Sequence, residues 1–342
     1  MTASQMPPRS SLLARLTALV LGLGAFVVLT MALAANIGAQ PIPLSVIFQS
    51  ARDGTESRLA DIFWHLRLPR VALGAIVGMA LTVSGGALQG LLMNPLADPY
   101  LVGVSAGAAF GASLAILLHL GGFLGGAGKC LIAFGSGAVT MLVVLWLARD
   151  RKRMHRDAFI LAGVVVGSFM WALVTLVMTL AGRDMQTIVF WLMGNLYGQI
   201  EWSVVAVVGV LVAIGCIALY SYARDLNLLA LGEEQAKQLG VETERLKTNV
   251  ILFSALATAA AVSVSGVIGF VGLVIPHMAR KLVGPDHRIL LPVAGLLGAA
   301  FLVWADTIAR LIAEIFPVGV LTSLLGAPFF FYLLKRRPAG GN

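Results

Sequence analysis

The sequence predicts an all-α polytopic membrane protein with about ten transmembrane helices, organised as one domain over residues 1–342. Three observations carry that expectation. The chain is 59% hydrophobic and 12% charged, where a soluble domain is about 25% charged. Its mean hydropathy is +0.92. Val71 to Met93 then runs 23 residues without a charge, enough to cross a hydrocarbon core about 30 Å thick at about 1.5 Å per helical residue.

Ten apolar segments follow along the chain, at 12–35, 68–93, 100–118, 129–148, 158–181, 202–222, 247–265, 267–282, 289–311 and 318–335. The first follows Arg9 and Arg15 and ends in Ala32-Leu33-Ala34, which resembles a signal cleavage site. Leu12 to Ala35 is 24 residues, longer than the roughly 7 to 15 of a signal h-region, so it reads as a spanning helix. The second opens on Arg67-Leu68-Pro69-Arg70, two arginines on one helical face beside a proline suited to a first turn. It closes at Asn94 to Pro99, where two prolines and an Asx-type turn former predict a tight reversal. Asn249 to Met278 is too long for one span and is divided at Ser265-Gly266. Thr187 to Tyr197 is apolar but too short to cross, which predicts an interfacial or re-entrant half-helix turning at Gly194-Asn195 with Gly198 close by. Small-xxx-small pairs at Gly74/Gly78, Gly103/Gly107, Gly107/Gly111 and Gly163/Gly167 predict close helix packing.

With a cytoplasmic N-terminus, 17 of the 24 basic residues fall inside and seven outside. The positive-inside rule therefore places both termini in the cytoplasm. The net charge of +8 is explained by this topology and by the anionic lipid of the inner leaflet, without a nucleic-acid partner. At an offset of 181 residues, Ala80, Val83, Ser84, Gly85, Leu92 and Pro95 recur as Ala261, Val264, Ser265, Gly266, Leu273 and Pro276. The echo reads either as an inverted repeat or as chance matching between small-residue spans.

The cytoplasmic stretch at about 226–246 is polar and carries apolar positions Leu228, Leu231, Ala236 and Leu239 near a helical period. Gly232 and Gly240 divide it into two short helices, which fit either a solvated loop or a rigid knob for a cytosolic partner. No catalytic constellation, metal-ligand spacing or phosphate loop is present in the sequence. Gly128-Lys129-Cys130 lacks the first glycine and the Ser or Thr of such a loop, so any ATP must be handled by another chain. His65, His119, His155, His277 and His287 stand at segment ends with no i, i+4 pair and read as surface or interfacial groups. Cys130 and Cys216 sit singly in apolar runs as spectator thiols. Asp306, four residues before Arg310, reads as a local helix ion pair in preference to a proton relay.

Many ordered motifs resemble the FecCD family, the membrane permeases of binding-protein-dependent ABC importers for ferric siderophores, haem and cobalamin. They include Arg67 to Gly107, Phe159-Ile160-Leu161-Ala162-Gly163, Trp191-Leu192-Met193-Gly194, Leu231-Gly232-Glu233-Glu234, Gly269 to His277, Asp286-His287-Arg288, Ala305 to Arg310, and Pro317-Val318-Gly319-Val320 followed by Gly326-Ala327-Pro328. The resemblance implies the ten-helix type II importer fold and a transport subunit without catalytic residues, metal or cofactor. It also implies a homodimer in the inner membrane, assembled with two cytosolic ATPase subunits and one periplasmic binding protein. On the family's pattern, Arg67, Arg70 and Arg310 receive acidic residues of the binding protein. Leu228, Leu231, Gly232, Glu233, Glu234, Ala236, Leu239 and Gly240 match the helices that couple to the ATPase, and Asn94 and Leu96 match a gate-forming pair. A second gate of short polar residues before the fifth span is replaced here by His155-Arg156-Asp157, and no gate is assigned there. The expected cargo is an iron chelate of the siderophore type; haem, cobalamin and an ATP-independent carrier are the alternatives.

Overall fold

The computed structural model describes residues 9–38, 57–120, 127–150, 153–196, 200–313 and 316–335, with isolated positions between 39 and 56. Tyr197 and Gly198 of the expected half-helix lie outside the described residues. The helices are α1 (Arg9–Asn36), α2 (Arg58–Leu91), α3 (Val104–Leu117), α4 (Gly128–Ala148), α5 (Arg156–Leu180), α6 (Met185–Leu192), α7 (Trp202–Ser221), α8 (Ala223–Leu229), α9 (Glu233–Gln238), α10 (Thr243–Ser265), α11 (Val271–Val283), α12 (His287–Ile312) and α13 (Val318–Lys335). Between α4 and α5 a two-residue antiparallel ribbon pairs β1 (Arg149–Asp150) with β2 (Arg153–Met154).

Each of the ten apolar segments is found as a helix, but among the described residues seven are long and apolar enough to cross a membrane unaided. The segments expected at 100–118 and 267–282 are shorter helices than their apolar runs. Pro99–Val102 is a 3₁₀ turn ending in left-handed Gly103, and only Val104–Leu117 is α-helical. Gly266 (φ +67°) and Phe270 (φ +68°) bracket a non-helical linker that delays α11 to Val271. The division at Ser265-Gly266 is therefore where the chain breaks, and the break is wider than composition indicates.

The second span starts ten residues earlier than its proline suggests. Ser57 caps the helix through its hydroxyl, and Pro69, which has no N–H to give, follows a π-helical stretch, Ile62–Arg67, whose wider turns carry the helix past the ring. Arg67 is thus interior to a 34-residue helix.

Burial sorts the helices into an inner set and a lipid-facing set. The apolar window of α2 is 83% buried and those of α10 and α12 are 67% buried, while α1, α4, α5 and α7 fall at 22–33%. The inner helices approach closely at glycines, as the small-residue spacing predicts. Gly78 of α2 faces the backbone carbonyl of Gly298 on antiparallel α12, and Thr82 fills the other side of Gly298. Pro276 deprives the Gly272 carbonyl of its helical donor, and that carbonyl lies against Gly85 of α2. Gly107 and Gly111 of α3 take Thr140 and Ser136 of α4.

The echoed residues do not occupy equivalent positions in their elements. Ala80 to Gly85 lies within α2, whereas Ala261 to Gly266 forms the end of α10 and the start of the linker. Leu92 and Pro95 are in a turn, but Leu273 and Pro276 are inside α11.

Candidate functional site

Three assemblies stand at different depths of the bundle. Arg70 and Gly90 of α2, twenty residues or about 30 Å apart, mark two ends of the bundle. Antiparallel α12 brings Asp306 and Arg310 to the first end and His287 to the second.

At the first end, Arg70 grips Asp306 from two sides, Nε donating to Oδ2 at 3.0 Å and Nη2 to Oδ1 at 2.8 Å. Arg310 approaches the same carboxylate with Nε 3.2 Å from Oδ2, and its Nη2 donates to the Ala34 carbonyl at 3.3 Å and the Thr307 hydroxyl at 3.1 Å. The local pair expected of Asp306 and Arg310 is present, and Arg70 enlarges it to a triad. Arg67 donates to the carbonyls of Ala35 and Asn36 at the end of α1, at 3.4 and 3.2 Å. The three arginines therefore share one end of the bundle and are largely enclosed, with Arg67 9% exposed and the side chains of Arg70 and Arg310 14% and 13%.

At mid-depth the α10–α11 linker runs between the levels of Gly74 and Gly85 on α2. Leu196 packs on Gly74, its neighbour Asn195 takes the Ser265 carbonyl at 2.7 Å, and Gly272 packs on Gly85. Tyr100 satisfies the exposed backbone of the linker: its hydroxyl donates to the Ile268 carbonyl at 2.8 Å and accepts the Ile268 N–H at 3.1 Å. α6 is the expected half-helix, starting two residues earlier and ending at Leu192, and left-handed Gly194 (φ +71°) turns the chain so that its carbonyl receives the Gly319 N–H at 3.0 Å. These pieces border a cleft of about 590 Å³ lined by Met193, Val267, Gly269, Val320, Ser323 and Leu324, among others, with no charged side chain among the described residues of its wall. Unwound backbone at this depth is tolerated where it lines a cavity. Tyr100→Phe strands both backbone groups of Ile268, each worth about 1–3 kcal/mol. The expected result is a lower melting temperature in detergent, and parent-like melting would show that the linker does not depend on this hydroxyl.

At the second end, α8 and α9 are the two short helices expected, separated by Gly232 (φ +120°) and ended by Gly240 (φ +88°). The expected apolar row is divided. Leu231 (63%) and Leu239 (58%) are exposed, but Ala236 is fully buried in the core and Leu228 packs partly against it. Seven- and six-residue helices cannot present four positions across a glycine break as one face. Glu233 is half-buried and held below the usual carboxylate range: burial opposes ionisation, and hydrogen bonds from Lys247 and Lys237 outweigh it. Asn94 closes the predicted Asx turn, its Oδ1 accepting the Leu96 N–H at 3.0 Å, and both residues are half-buried.

Some residues of this end were not legible in the sequence. Gln89 braces the turn by donating to the Ala97 carbonyl at 3.4 Å and joins it to α11 by donating to the Leu273 carbonyl at 3.1 Å, and Arg280 donates to Gln89 Oε1 at 3.0 Å. His287, read as a surface histidine, is 5% exposed, with Nδ1 2.8 Å from Asn227 Oδ1 and its ring against Gly90. Asp286 caps α12 and is lowered to about 2 by hydrogen bonds from the Arg288 side chain and backbone, so the cap stays ionised at neutral pH.

The FecCD transport family model matches residues 26–336. A cobalamin import system permease of Halobacterium salinarum is 42% identical over 332 residues, covering 96% of this chain and 89% of the relative. A hemin transport system permease of Yersinia pestis is 42% identical over 89% of this chain and 91% of its own. An iron(3+)-hydroxamate import system permease of Bacillus subtilis is 38% identical over 94% and 82%. A solved inward-facing metal-chelate type ABC transporter superposes with a TM-score of 0.78 at 34% identity, over 94% of this chain and all of the other.

Proposed function

The chain belongs to the FecCD transport family as a multi-pass permease subunit of an ABC importer, and from that premise we propose that its cargo is an iron chelate of the siderophore type. The observation that carries the transport reading is the mid-depth break, where Tyr100 holds an unwound linker beside an uncharged cleft. A wall without charge gives a bulky chelate weak contacts to pass along. It fits haem or cobalamin as well, and the relatives named for those cargoes, each 42% identical, are more similar than the hydroxamate one at 38%. In this reading two copies form a homodimer in the inner membrane with both termini in the cytoplasm. Two ATPase subunits dock on α8–α9, a periplasmic binding protein docks at the arginine end, and the Asn94–Leu96 turn gates the path. ATP and the loaded binding protein each bias the permease by their differential affinity for its two states.

Uptake by proteoliposomes holding permease, ATPase and binding protein tests both parts. Accumulation of a ferric siderophore in preference to haem and cobalamin, and only with ATP, is expected; uptake without ATP would identify a secondary carrier.

The arginine end suits an acidic partner because Arg70 and Arg310 share one carboxylate, leaving surplus positive charge among the described residues. Reversing Arg70 would set a new carboxylate beside Asp306, so charge removal is the cleaner probe. Arg67→Gln with Arg310→Gln leaves the two-sided Arg70–Asp306 pair in place. Docking of the binding protein should weaken, with a shallower salt dependence, since close charge pairs couple by about 1.5–7 kcal/mol. Equal affinity for parent and variant at low salt would make these arginines anchors to the bilayer interface.

A further inference from the structure

Lys247, in the first turns of α10, is a cation with a 9% exposed side chain. All three of its ammonium protons are used. Nζ donates to Glu233 Oε1 at 2.9 Å, to Glu244 Oε1 at 2.9 Å and to the Met154 carbonyl at 3.3 Å. Glu244 then takes the Met154 N–H on Oε2 at 2.8 Å. Both backbone groups of Met154 are thereby fastened to α10, and its side chain is buried in the same cluster as Ala236 of α9 and Phe159 of α5. These elements also meet in that cluster, and Thr243 Oγ1 donates to Glu233 Oε1 at 3.4 Å, but Lys247 hydrogen-bonds α9 and the ribbon through one atom. Glu233 is the first residue of α9, and Met154 ends the ribbon that enters α5 two residues later.

We infer that Lys247 is a positioning residue that makes the α9 knob and the start of α5 one mechanical unit, so that displacement of α9 by a cytosolic ATPase is delivered to the end of a membrane helix. The inference rests on the proposed role of α8–α9 in docking that ATPase. A hydrocarbon contact would slide under load, whereas a desolvated cation between two carboxylates and a main-chain carbonyl has one geometry in which all its protons are satisfied. Desolvation makes that geometry costly to leave, because any shift exposes an unpaired charge. Lys247→Met removes the tie while Glu233 and Glu244, with side chains 32% and 37% exposed, can hydrate; the buried Met154 carbonyl loses this donor.

The test places spin labels at Gln238 on α9 and Asp157 on α5, both exposed, after Cys130→Ala and Cys216→Ala. Distances are measured in the permease–ATPase complex, nucleotide-free and trapped with ATP. The parent should give one narrow distance that nucleotide leaves unchanged. Lys247→Met should still co-purify with the ATPase but show a shifted, broadened distribution on ATP binding, and Lys247→Arg should restore a single one. Glu233→Gln, which loosens only the α9 side, should give a smaller broadening and serves if Lys247→Met does not fold. Parent-like distances in Lys247→Met, or in Glu233→Gln where that is the variant measured, overturn the inference. Failure of the parent to bind the ATPase instead overturns the docking reading on which it rests.

Discussion

Asp306→Ala is expected to destabilise the permease by about 3–5 kcal/mol, the cost of breaking a buried ion pair by removing one partner. The carboxylate is 3% exposed and holds two guanidiniums that are themselves nearly enclosed. Without it Arg70 and Arg310 face each other as like charges, in a place where water cannot readily reach them. Arg70 belongs to α2 and Arg310 to α12, so their repulsion acts directly on the crossing at Gly78 and Gly298 that sets the inner packing. Asp306→Asn keeps an acceptor of the same shape and should lose less. Thermal unfolding in detergent reads the order parent, Asn, Ala. If the alanine variant melts with the parent, the triad is not what holds this end together.

Leu231→Glu is expected to abolish co-purification of the ATPase and cargo-stimulated hydrolysis while leaving the permease folded. Leu231 is 63% exposed between α8 and α9, where substitutions usually change stability by no more than about 0.5 kcal/mol. An apolar anchor exchanged for a charge at an interface costs about 2 kcal/mol or more, roughly thirtyfold in affinity. Neighbouring positions give less clear answers. Gly232 at φ +120° strains any side chain, and Ala236 is fully enclosed, so loss of function there would mix misfolding with undocking. Gel filtration and ATPase turnover of the detergent-purified complex check the prediction, and parent-level assembly would remove the coupling assignment.

The positions of breaks and turns were decided largely by local chemistry and could be read directly. Gly266 and Gly232 stand where the backbone needs positive φ, and Asn94 closes its own turn through its side chain. Prolines were less informative, because Pro69 and Pro276 sit inside helices and not at their ends. The arginine end was half legible. The i, i+4 spacing of Asp306 and Arg310 gave their pairing, but nothing in the sequence relates Arg70 to a residue 236 positions away.

By itself the sequence determined that this chain lives in a membrane, which stretches are its apolar segments and where turn formers interrupt them, and which family's motifs it carries. The reason is that hydropathy, turn formers and motifs are properties of short stretches, and a bilayer imposes a fixed length on each span. Only the tertiary structure decided that α2, α10 and α12 form the inner set, that Tyr100 serves a linker 168 residues away, and that Asp306 and Lys247 are buried centres of charge. Those facts depend on which helix faces pack together. Without a hydrophobic difference between lipid and a neighbouring helix, that choice rests on glycine-sized close approaches and cross-helix polar pairs, which exist only once the helices are side by side.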